Sequence, residues 1–160
     1  MSIRSRITVL LLALLTACAQ SLPQSGTLAG SVYSRADLDC LSEALYFEAR
    51  GTTIEGERAV GEVILNRAAD PRFPDSICGV IDQRYRGSCQ FSYRCDSIPN
   101  DVYNEPSSLA QARAISMELL TNRGEDITNG ALFFHAASMR PGWFATLSPR
   151  GRFGGNIFYR

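Results

Sequence analysis

The residue whose type and position could do chemistry is Glu48, in the stretch Leu41-Ser42-Glu43-Ala44-Leu45-Tyr46-Phe47-Glu48-Ala49-Arg50-Gly51. With residues advancing about 100° around a helix, Glu48 projects within roughly 60° of Leu41 and Leu45, on the side that should face the core, while Glu43 points away. A carboxyl held against leucines loses hydration, which disfavours its charged form and raises its pKa. That prepares a general acid for work near neutral pH. The competing reading makes Glu48 a helix-end residue paired with Arg50 or another of the many arginines. The other candidate carboxylates, Glu55, Glu62 and Asp96, each have an ordinary structural explanation, for Glu55 a helix cap. A second group of residues, Gln90, Phe91, Ser92 and Tyr93, mixes amide, hydroxyl and aromatic groups, as surfaces that bind sugars do. Trp143 is either a stacking platform or a lid over the core. Asn66, on a buried-looking helix side, either holds a loop or touches a ligand, and His135 is the only histidine.

These groups need a scaffold, and 160 residues suffice for one domain with a sizeable core. The formal charge is balanced, so no field for nucleic acid is expected. All 16 basic residues are arginine, and no acid follows Asp126 while Arg140, Arg150, Arg152 and Arg160 remain. The N-terminus reads as a targeting segment: Arg4 and Arg6, an apolar run from Ile7 to Leu15 too short to span a bilayer comfortably, then Leu15-Thr16-Ala17-Cys18. That quartet is similar to a lipoprotein lipobox, making Cys18 the lipidated residue. Gln20 near the new terminus favours, by likeness to Gram-negative lipoproteins, the periplasmic face of the outer membrane. The expected divisions are 1–18 as signal peptide, 19–33 as a flexible tether with small, polar, Pro- and Gly-containing composition, and 34–160 as the folded domain. Cys40, Cys78, Cys89 and Cys95 form an even set in an exported chain and read as disulfides, with all three pairings open. No Cys-x-x-Cys pair supports zinc, and neither metal nor cofactor is expected.

The elements follow from local signals. Ser34 with Asp37 caps a first helix that Gly51 stops, placing Glu48 in its last turn. Thr52 and Glu55 fit a capping box for a second helix running to about Ala69, where Asp70-Pro71 ends it. Asp75 caps a short helical piece through Ile81, and Gly87 to Cys95 is irregular or β structure pinned by cysteines. Asn104-Glu105-Pro106 opens a core-packing helix with Leu109, Ala112, Ile115 and Leu119 on one side. Ala131 to His135 reads as a strand with Leu132 and Phe134 on one face and Phe133 and His135 on the other. Asn156 to Tyr159 is a second strand, and the Gly- and Pro-containing segment around Pro141-Gly142-Trp143 is a loop. The expected class is α+β, with helices packed against a small antiparallel sheet and disulfides adding stability.

The ordered set Phe47-Glu48-Ala49-Arg50-Gly51, Glu55-Gly56, Ala59-Val60-Gly61 and Val63-Ile64-Leu65-Asn66-Arg67 resembles the cell wall hydrolase family of the spore-cortex-lytic enzymes (SleB/CwlJ type). Phe73-Pro74, Cys78-Gly79-Val80-Ile81, Cys89-Gln90-Phe91-Ser92, Gly130 to His135 and Ile157-Phe158-Tyr159 extend the resemblance over about 120 residues. It implies a fold like lysozyme and the lytic transglycosylases, peptidoglycan glycan strands as substrate, and Glu48 as the catalytic acid. Asn66, Gln90, Ser92, His135 and Trp143 are the expected substrate-binding residues. Departures from the family pattern are Thr52 for a common Glu, Glu57 for a common Gln, and Asn156 for a frequent His; His135 resembles the proteobacterial branch. The expected reaction is cleavage next to N-acetylmuramic acid by a single Glu acid/base, as in lytic transglycosylases. The alternatives are muramidase-type hydrolysis with a second carboxylate, or a non-catalytic peptidoglycan-binding lipoprotein. A cysteine peptidase using His135 would need a free thiolate. Whether a protein activator exists is not legible in the residues.

Overall fold

The computed structural model describes residues 32–99 and 102–160. Cys18 and the segments expected to be signal peptide and most of the tether lie outside them. The first helix, α1 (Arg35–Ala49), opens on the capping box foreseen at Ser34: its Oγ accepts from the Asp37 N–H, and the Asp37 carboxylate accepts from the Ser34 N–H. Leu38, Leu41 and Leu45 are fully buried along one side. At about 1.5–3 kcal/mol for each such side chain, their burial fixes the rotation of α1, and with it the direction of Glu48. Arg50 ends the helix, and Gly51, at φ +80°, takes the left-handed conformation that turns the chain away.

The second helix, α2 (Ile54–Ala68), is capped by Thr53, whose Oγ1 accepts from the Gly56 N–H, and not by the expected Thr52. Thr52 instead donates its hydroxyl to the Ala49 carbonyl, closing the turn between the helices. A short third helix, α3 (Ile77–Asp82), is capped by Ser76, one residue after the expected Asp75. The fourth, α4 (Pro106–Thr121), begins with proline in its first turn, where a missing N–H removes no helical bond. Helices α1, α2 and α4 pack on one another, with α3 set against α1 and α2. The Cys40–Cys78 disulfide ties α1 to α3, and Cys89–Cys95 closes the irregular segment after it.

Two antiparallel sheets complete the fold. Strands β1 (Arg84–Tyr85) and β2 (Ser88–Cys89) form a small hairpin leading into a 3-10 turn at Ser92–Cys95. The larger sheet holds β3 (Phe133–Ala136), β4 (Pro149–Phe153) and β5 (Asn156–Tyr159), antiparallel in the order β3-β5-β4. Its edge strand β4 falls in the segment expected to be a loop. Pro149-Arg150-Gly151-Arg152 shows no apolar alternation because the strand is half-exposed and its register shifts between Pro149 and Gly151. On β3, Phe134 stacks on Phe158 and packs against the core, while Phe133 and His135 face Trp143.

Candidate active site

Glu48 sits in the last turn of α1, half-buried, and lines two neighbouring cavities. The larger, about 670 Å³, is shared with Arg67, Gln90, Phe91, Phe133, Phe134 and Trp143, among others. The smaller, about 310 Å³, includes Arg50, Ser92, Asp96 and Asn104. Glu48 is the residue common to both linings and so stands between the two cavities. Its surroundings differ from the leucine packing inferred from periodicity: Leu41 and Leu45 are closed in the core, and what Glu48 faces is a cleft with aromatic walls. The consequence for its proton is similar. Burial raises the pKa of Glu48 above its ordinary value, and the cation of Arg67 opposes part of that rise. Arg50 does not neutralise it, since Arg50 pairs with Glu105 at 3.4 Å and lies over the Tyr46 ring.

Arg67 on α2 is the group that sequence reading passed over, although it stands in the family-like Asn66-Arg67 pair. It is only 6% exposed, and its Nε donates to the Leu132 carbonyl at 2.7 Å. The rings of Phe73, Phe91 and Phe133 surround its guanidinium at 5.3, 5.9 and 5.7 Å from their centroids. Burial lowers its pKa to about 10, with Glu48 acting in the other direction, so it remains a cation at neutral pH. A buried arginine flanked by aromatic residues is hard to tell from a surface one by spacing alone. Beside that pair, the signal in the residues is its place four residues after Val63, on the packed side of α2.

The other expected site residues fall in different places. Gln90 and Trp143 line the larger cavity, and Ser92 the smaller. Trp143 is 46% exposed at the rim, in a 3-10 turn (Gly142–Thr146), and its ring meets those of Phe133 and His135. Asn66 is in neither cavity lining. Its Nδ2 donates to Asp126 and the Ala131 carbonyl, and its Oδ1 accepts from Arg123, so its bonds go to holding the 122–131 loop on α2. His135 is 8% exposed and stands behind Trp143, with Nε2 3.1 Å from the Tyr159 hydroxyl and Nδ1 2.8 Å from the Ala136 carbonyl. Both cysteine pairs are disulfides, so no thiol stands beside His135 among the described residues.

Of the alternative carboxylates, Glu62 has a fully buried side chain clamped by Arg123 and Arg58 on the α4 side of α2. Glu55 is exposed in the first turn of α2. Asp96 lines the smaller cavity with Glu48, and one of its oxygens accepts from the Ile98 N–H. Among the described residues, Glu48 is the only carboxylate lining the larger cavity.

Comparison with known proteins places the chain in a family. The chain is 34% identical over 127 residues to a spore cortex-lytic enzyme of Halalkalibacterium halodurans, covering 79% of this chain and 35% of that protein. It spans less than half the length of the curated relatives it matches. In three dimensions it is similar to the catalytic domain of the germination-specific lytic transglycosylase SleB from Bacillus anthracis. That match has a TM-score of 0.65 and 28% identity, and covers 81% of this chain and 98% of that one. The catalytic domain of the Bacillus cereus SleB protein gives a TM-score of 0.61 at 25% identity, over 80% of this chain and 92% of that one. The Cell Wall Hydrolase family model matches residues 51–159, beginning just after Glu48, and the chain belongs to that family.

Proposed function

We propose that the protein cleaves peptidoglycan glycan strands next to N-acetylmuramic acid, with Glu48 as a single acid/base in the manner of a lytic transglycosylase. The observation that carries this reading is a half-buried carboxyl of raised pKa, alone of its kind among the described residues in an aromatic-walled cavity. Protonated Glu48 donates to the glycosidic oxygen while positive charge develops at the muramoyl C1. The resulting carboxylate then accepts the proton of the same sugar's 6-hydroxyl as that oxygen closes a 1,6-anhydro ring. The proton count balances with one residue, so no second carboxylate is required. Gln90, Trp143 and Ser92 border the strand on either side of Glu48, while His135 holds Tyr159 and backs Trp143.

Asp96, which shares the smaller cavity with Glu48, is the observation favouring hydrolysis as a second reading. Digestion of purified sacculi by the wild type and by Glu48→Gln, with muropeptides resolved by mass, tests both. Anhydro ends released only by the wild type support the transglycosylase route; reducing ends point to Asp96 and water. Equal release by both proteins eliminates Glu48 as the acid. Upstream, lipidation at Cys18 and the 19–33 tether would hold the domain within reach of an insoluble polymer from the outer membrane. Membrane fractionation of wild type and Cys18→Ala checks this, and a Cys18→Ala chain that stays in the membrane fraction overturns it.

A further inference from the structure

Arg67 makes one hydrogen bond, from Nε; among the described residues its terminal nitrogens, Nη1 and Nη2, form neither hydrogen bond nor ion pair. The aromatic rings around the guanidinium supply diffuse attraction but no acceptor atom. Glu48 lines the same cavity yet forms no ion pair with it. The residue as a whole is buried, but its terminal nitrogens are not among the buried unpaired atoms, and Arg67 lines the cavity, so these donors are open there to an acceptor carried by a ligand in place of water. The free pair of terminal nitrogens matches the fork geometry that guanidinium uses for carboxylates.

The chemistry of the reaction strengthens this. Charge that develops at C1 of the muramoyl ring is positive, and the Arg67 cation lining the same cavity opposes it. An anion carried by the substrate would cancel that opposition. On the ring that reacts, the group able to be anionic is the lactyl substituent at C3. It is a carboxylate when the strand is free of peptide and a neutral amide when a stem peptide is attached. We infer that Arg67 binds the lactyl carboxylate of peptide-stripped muramic acid, making the protein selective for glycan strands from which stem peptides have been removed. This rests on the glycan-cleaving reading above. It also places the protein after an amide hydrolysis, in which water cleaves the lactyl–peptide bond, releasing the peptide amine and leaving the carboxylate.

The test uses the full chain carrying Glu48→Gln, so that strands bind without turnover. It is titrated with peptide-bearing strands, with stripped strands, and with stripped strands whose carboxylates are methyl-esterified. Stripped strands should bind about tenfold tighter than the esterified ones, the ratio expected from one charge-assisted pair. Adding Arg67→Lys, which keeps the charge but removes the fork, should reduce that ratio severalfold, and Arg67→Met should bring it close to one. Equal binding of all three forms, or a ratio unchanged by both substitutions, overturns the assignment. If Arg67→Met does not fold, the comparison of strand forms in the Glu48→Gln chain still decides. Release by the wild type on the same strands separates the two claims. Release without preference sinks the carboxylate assignment alone, whereas binding preference without release on any strand sinks the Glu48 reading alone.

Discussion

At the scale of single residues, Glu48 and Arg67 pull in opposite directions on one proton. Burial favours the neutral carboxyl and the nearby cation favours the charged one, with burial dominant. Glu48→Gln should lower strand cleavage at least about 100-fold, since proton donation to a leaving oxygen is worth that much or more. It should also change stability in a pH-dependent way. The folded pKa of Glu48 lies above its ordinary 4.5, so the fold prefers the protonated form. The penalty for charging it is absent at pH 4 and grows as pH rises through the folded value. Thermal melts should therefore show Glu48→Gln equal to wild type near pH 4 and more stable at pH 7. Removing the Arg67 cation should have the mirror effect on activity: with less to hold the proton off, the basic limb of the kcat profile moves to higher pH in Arg67→Met.

Between elements, the decisive contacts are a polar one and a steric one. Glu57 on α2 is 1% exposed and accepts from the Gln111 amide of α4 at 2.7 Å, while its second oxygen has no partner. Burial raises its pKa, with the Gln111 bond opposing. Glu57→Gln supplies an isosteric neutral group that can pair with Gln111 in both directions. It should raise stability at pH 7 by about 1 kcal/mol, measured by denaturant titration, and have little effect at pH 4. The steric contact joins α2 to the sheet. A Cβ on Gly56 would lie 2.6 Å from the Cα of Gly154, backbone that cannot swing aside. Gly56→Ala should destabilise by about 1–3 kcal/mol and loosen the β4–β5 turn, visible as faster amide exchange at Asn156–Tyr159. Glycine at these positions reads locally as a helix blemish and a turn; only their juxtaposition explains both.

Across the whole molecule, the placement of α1, and of Glu48 with it, depends on a cross-link to a segment distant in sequence. Cys40–Cys78, with a sequence separation of 38, anchors α1 against α3, and loop closure of that length contributes about 4 kcal/mol through the unfolded chain. The double substitution Cys40→Ala and Cys78→Ala should lower the melting temperature by roughly 10 °C or more, whereas opening the short Cys89–Cys95 loop should cost less. The sequence by itself determined the helices of the first two-thirds and the β3 and β5 strands, and it singled out Glu48 as the carboxylate to examine. Caps, glycine stops and apolar periodicity are local, and a carboxylate on an apolar face is visible without knowing what it faces. It did not determine which cysteines pair, that a half-exposed arginine-bearing segment becomes the edge strand β4, or that Asn66 serves a loop. Nor did it show that Glu48 shares its cavity with a buried, partly unsatisfied Arg67. Those outcomes depend on residues distant in the chain meeting across the packed interior, and the free energy that selects them exists only once α2, the sheet and the aromatic cleft have closed around the acid.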